Sequence, residues 1–111
     1  MSVRYIDVHC HLTGGEYGDI GALVAGLEEL GVKKVITAGF DAASSLAGKR
    51  LAEKYAAVYF TAGLHPTELK KCGEGDLDTI RGLLEHPKCV ALGEIGLDYH
   101  YDDTDKPLQH K

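Results

Sequence analysis

Four short apolar runs rich in β-branched residues alternate along this chain with stretches whose apolar residues recur at helical spacing, and that alternation constrains the fold more than any other feature. The first run, Val3 to Val8, leads into the Gly-rich loop "HLTGGEYGD", whose last residue, Asp19, suits a helix N-cap. Ile20, Leu23, Val24, Leu27 and Leu30 then fall on one helix face, and Gly31 stands where a helix stops. "KKVITAG" reads as a second strand, followed by a helix over "DAASSLAGKRLAEKY" opened by Asp41, with Ala43, Leu46, Ala47 and Leu51 on one side. A third strand, "AVYFTAG", precedes a helix over "DLDTIRGLLEH" with Leu77, Ile80 and Leu84 inward and Pro87 at its end. "CVALGEIG" is the fourth strand. The polar stretch "LDYHYDDTDKPLQHK" has no clear period, although "DKPLQHK" has the form of a helix beginning.

Four strands separated by three helices predict an α/β fold with a parallel sheet and right-handed crossovers. Such a sheet hides its strands only with helices on both faces or by closing into a barrel. The length of 111 residues, with 44% hydrophobic and 26% charged content, fits one soluble domain. No apolar stretch approaches the ~18 residues that span a bilayer, and the start lacks the pattern of a signal peptide, so the expectation is a cytoplasmic protein without membrane contact. Cys10, Cys72 and Cys89 show no CxxC spacing and read as reduced, packed thiols. A net charge of −5 argues against holding nucleic acid by a general basic surface, while leaving room for bound divalent metals to supply positive charge locally.

The chemistry-bearing residues stand where strands end: His9 and His11 after the first, Gly39 and Asp41 after the second, His65 after the third and Glu94 after the fourth. The carboxyl ends of parallel strands gather the sites of α/β folds. His9 and His11 lie two apart on a strand and therefore face the same way, opposite Val8, Cys10 and Leu12. Two imidazoles plus the Glu94 carboxylate form a ligand set for Zn²⁺, or for Mn²⁺ with more oxygen ligands, and a metal-bound water points to hydrolysis. On its residues alone, His65 in "GLHP" reads as a turn histidine. His86 reads as a helix C-terminal imidazolium, and Tyr17, Tyr55 and Tyr59 as packing residues.

Taken together, "IDVHCHL", "GLHP" and "GEIGLDY" resemble the TatD family of metal-dependent hydrolases. The resemblance covers residues 1–111 and implies the N-terminal half of a TIM-type (β/α) barrel, a partial barrel of four parallel strands. It implies a two-metal site (Zn, Mn or Mg) that hydrolyses DNA phosphodiesters, commonly from a 3′ end, or aminoacyl-tRNA esters in some members. By motif, His9 and His11 would bind one metal, and Glu94 would bridge both as a catalytic residue. His65 would contact a substrate phosphate and Asp98 would support the substrate loop. The histidines of the second metal and a late aspartate have no counterpart here, and His100 and His110 match no family motif. At most about one ion is therefore expected. Besides a hydrolase half, the sequence allows an inactive half-barrel that binds one metal or acts through self-association of its first and fourth strand edges, or an unrelated α/β binding domain.

Overall fold

All four predicted strands form. In the computed structural model, which describes residues 4–101 and 104–111, β1 (Tyr5–Cys10), β2 (Val32–Ala38), β3 (Val58–Ala62) and β4 (Cys89–Leu92) pair in parallel in chain order. Val3, placed at the head of the first strand by sequence, lies outside the described residues. The crossovers carry α1 (Ile20–Glu29), α2 (Ala42–Lys54) and α3 (Glu74–Leu83). Two further pieces extend the expected three helices: a 3₁₀ helix over Pro66–Lys71, and a one-turn α4 (Lys106–Gln109) after β4. The helix starts follow their caps. Asp19 accepts the Ala22 N–H at 3.1 Å, and Asp105 accepts the Leu108 N–H at 3.0 Å. At α2, Asp41 accepts from Ser44 N–H at 2.7 Å while the Ser44 hydroxyl accepts from Asp41 N–H at 3.1 Å, a reciprocal capping box.

The core lies under the centre of the sheet. Val58, Phe60 and Ala62 alternate along β3 onto one face and are fully buried with Ala52 of α2 and Ile80 and Leu83 of α3. The buried face of α2 is not the predicted one: it consists of Ser44, Ser45, Gly48 and Ala52, with Leu46 and Leu51 at its margins and Ala43 exposed. Small residues win because the helix sits close to the sheet. A Cβ on Gly48 would lie 3.1 Å from Phe60 Cβ and 3.3 Å from Thr37 Cγ2, and the buried Ser45 hydroxyl accepts the Gly63 N–H at 3.3 Å.

Other inward assignments also change. Leu30 is 77% exposed because α1 stops before it, and Gly31 at φ +95° turns the chain away. Leu77 and Leu84 are exposed because α3 presents only the Ile80–Leu83 stripe to the core and ends at Leu83, before Pro87; Leu77 lines an open apolar cleft with Leu69, Leu92, Ile95 and Leu108. Cys10 of β1 and Leu12 just past it pack inward, but Val8 is 68% exposed, since α1 packs against β2 and leaves that part of the edge strand uncovered. Tyr17 is likewise exposed rather than packed. Tyr55 and Tyr59 are half-buried, and Lys88 Nζ stands 4.8 Å from the Tyr59 ring centre.

That lysine closes the C-terminus of α2. Its ammonium donates to the carbonyls of Ala52, Tyr55 and Ala56 at 2.6, 2.9 and 3.2 Å, and burial lowers its pKa from the usual lysine value. His86, expected at a helix C-terminus, lies three residues past the end of α3; its Nδ1 accepts the Lys88 backbone N–H at 3.0 Å, and its ring packs edge-on against Phe60. No helix among the described residues is long and apolar enough to cross a membrane.

Candidate metal centre

The sheet's carboxyl end brings His9, His11 and Glu94 together. On β1, Cys10 is in register with Thr37 and turns to the helix side, donating its thiol to Ile36 O at 3.4 Å, so His9 and His11 point to the opposite face. Asp7, two residues before His9, accepts the His9 N–H at 3.0 Å. Burial and then the nearby Asp7 carboxylate push the Cys10 thiol up to about 11. At neutral pH it is a packed thiol, not a thiolate ligand or nucleophile. Burial raises the Cys72 and Cys89 thiols as well.

Glu94 arrives from the other side of the sheet. Gly93 N–H still bonds to Ala62 O on β3 at 3.0 Å, but the next residue crosses over the end of β3, and Glu94 N–H reaches Gly39 O beyond β2 at 2.7 Å. Gly63 makes the crossing possible. A Cβ there would lie 2.7 Å from Glu94 N and would collide with the Gly93 carbonyl. Two residues after Gly63, His65 N–H donates to Phe40 O at 2.7 Å, so the ends of β2, β3 and β4 are tied to one another.

The resulting geometry is tight. His9 Nε2 lies 2.8 Å and His11 Nε2 3.6 Å from Glu94 Oε1, and the two imidazole nitrogens are 3.3 Å apart. One ligand atom from each residue falls within 4.8 Å of the others. Donors on a tetrahedral Zn²⁺ with bonds of about 2.05 Å stand about 3.3 Å from one another. The donor set therefore fits a divalent cation in both chemistry and spacing, the short His9–Glu94 contact being the hydrogen bond that such an ion would replace. The site is open on one side, with the His9 side chain 56% and that of Glu94 24% exposed. A cleft of about 710 Å³ adjoins it, lined by His11, Thr13, Phe40, Asp41 and Ser44.

His65 stands at the margin, its Nε2 4.0 Å from Glu94 Oε2. Asp98 is held elsewhere. Its backbone N–H and C=O exchange hydrogen bonds of 2.8 Å with the Gln109 amide, and its carboxylate accepts the His100 N–H at 2.9 Å. Sequence reasoning missed Gly63, whose only signal was a glycine directly after a strand, and Thr67, which bonds to the His65 ring.

The TatD related DNase family model matches residues 6–111. The chain belongs to the TatD family. It is 38% identical over 106 residues to the uncharacterized metal-dependent hydrolase YjjV of Escherichia coli (strain K12), covering 93% of this chain and 41% of YjjV. It is also 32% identical over 96 residues to the 3'-5' ssDNA/RNA exonuclease TatD of Edwardsiella piscicida, covering 85% of this chain and 37% of that protein. The crystal structure of E. coli YjjV superposes with a TM-score of 0.87 at 36% identity over 99% of this chain and 44% of that one. The chain thus spans about two fifths of the length of the curated relatives it matches. Its sheet is part of a TIM-type barrel, four parallel strands in barrel order.

If the Gly63 crossing positions Glu94, Gly63→Ala lowers Zn²⁺ affinity at least tenfold in a calorimetric titration and costs about 1–3 kcal/mol of stability. The control Gly82→Ala, in a helix where a Cβ meets nothing within 4 Å, leaves affinity unchanged. Equal affinities for the two variants would show that the crossing does not set the site.

Proposed function

We propose that residues 1–111 form the N-terminal part of a metal-dependent hydrolase barrel acting on phosphodiester bonds of single-stranded DNA or RNA, with His9, His11 and Glu94 holding a divalent cation. The carrying observation is the convergence of these three ligand atoms within 4.8 Å at the rim of the sheet. The exonuclease named among the relatives supports the substrate class, and three free cysteines suit the reducing cytoplasm. Such an ion supplies an activated water and polarises a phosphoryl oxygen.

The protein's own residues divide the remaining work. His9 and His11 offer neutral imidazole lone pairs, and Glu94 supplies the negative charge that favours a cation there. Oε1 of Glu94 faces the imidazoles while Oε2 faces His65, so the carboxylate has an oxygen to spare for bridging. His65 contacts a substrate oxygen, and Asp98 orders the loop that follows Glu94 through its bonds to Gln109 and His100. Three protein ligands make one centre, and among the described residues they are the one such group.

On this reading the 111-residue chain binds about one Zn²⁺ or Mn²⁺ by equilibrium dialysis with metal analysis, and His9→Ala, His11→Ala or Glu94→Gln weakens binding at least tenfold. Loading to two ions per chain, or affinity indifferent to these changes, would overturn it. Cleavage of single-stranded DNA by the chain alone is expected to be negligible. Metal-dependent cleavage abolished by His9→Ala would show instead that the half suffices.

The edge strands favour self-association as a second element of this reading. Ile6 and Val8 on β1 and Val90 and Leu92 on β4 expose apolar side chains beside unpaired strand edges. Size-exclusion chromatography with light scattering is expected to show species larger than a monomer, and a monomer at every concentration would dismiss it.

A further inference from the structure

Whether His65 meets the centre as a ligand or as a hydrogen-bond donor depends on which ring nitrogen carries its proton, and the structure constrains that choice. Pro66 holds His65 extended, at φ −64° and ψ 138°, and His65 caps the 3₁₀ helix with its ring. Its Nδ1 lies 3.1 Å from the Thr67 backbone nitrogen and 2.8 Å from Thr67 Oγ1. A backbone N–H can only donate. Nδ1 must therefore present a lone pair, and the proton of the neutral ring sits on Nε2.

Nε2 is the nitrogen on the Glu94 side, 4.0 Å from Oε2 and outside hydrogen-bonding reach. Among the described residues, no hydrogen bond takes this proton. We propose that Thr67 is a positioning residue: its backbone N–H locks His65 into the Nε2–H tautomer, so that His65 presents a neutral donor to an oxygen beside Glu94 instead of a third imidazole ligand. The role of that donor rests on the reading of His9, His11 and Glu94 as the metal centre, whereas the tautomer itself does not.

The chemistry separates His65 from its neighbours. His9 Nε2 and His11 Nε2 face Glu94 Oε1 and each other, an arrangement in which a cation can take the place of a shared proton. His65 has its lone pair already engaged on the far side of the ring. A non-bridging phosphoryl oxygen or an ester carbonyl oxygen is the kind of acceptor its Nε2–H fits. The Thr67 hydroxyl lies 2.8 Å from the same ring nitrogen.

Nitrogen-15 NMR of the histidine rings in the 111-residue chain tests this at a pH where the imidazoles are neutral. His65 is expected to show the Nε2–H pattern of long-range couplings and shifts without metal. Added Zn²⁺ should leave that pattern in place while the ring nitrogens of His9 and His11 move. Thr67→Val, which keeps the backbone N–H, should keep the Nε2–H form, whereas Thr67→Pro, which removes that N–H, should give a mixture of His65 tautomers. An Nδ1–H ring in the unaltered chain or in Thr67→Val, coordination of Zn²⁺ by His65 Nε2, or an unchanged tautomer in Thr67→Pro would each overturn the proposal. Failure of His9 and His11 to respond to Zn²⁺, with the His65 tautomer as expected, would instead count against the metal centre alone.

Discussion

The hydrogen bond from Glu94 N–H to Gly39 O is the constraint on which the candidate site depends. It joins the ends of two strands that are not neighbours, β4 and β2, by carrying the chain across the end of β3. The crossing needs a bare backbone beneath it, which Gly63 provides, and it turns a carboxylate from the sheet's fourth strand toward histidines on its first. The bond holds the Glu94 backbone, in the bend just past β4, where its side chain reaches the histidines.

The sheet that supports this crossing is unevenly covered. Its buried residues cluster on β2 and β3 beneath α2 and α3, and the small side chains of α2 let helix and sheet approach closely. The outer strands carry the histidines at one edge and Glu94 at the other, and both keep apolar side chains in the open. That pattern belongs to part of a barrel, and it agrees with a chain that matches about two fifths of its relatives.

Strand number, order and direction were legible in the sequence, because period-2 and helical patterns alternate and parallel pairing leaves few topologies. The His9–His11 pair was legible for the same reason: alternation dictates that both share a face. The side of α2 that packs was not. Apolarity favoured Leu46 and Leu51, but closeness to Phe60 and Thr37 selects Ser45 and Gly48, and closeness is a tertiary property. Leu30 and Leu77 extended a helical period correctly but fell past the helix end or beside a cleft. The Lys88 clasp on the end of α2 and the Thr67 contact to His65 join groups whose pairing no local pattern announces. Which ring nitrogen of His65 or His86 bears a proton likewise required the partner's position.

X-ray absorption at the zinc edge, on the chain loaded with one Zn²⁺, tests the account most directly, because it reads the ligand atoms themselves. The account predicts a first shell of nitrogen and oxygen only at about 2.0–2.1 Å, with the outer-shell scattering of two imidazoles that falls to one in His9→Ala. A sulfur shell at about 2.3 Å, or a spectrum unchanged by His9→Ala, would contradict it.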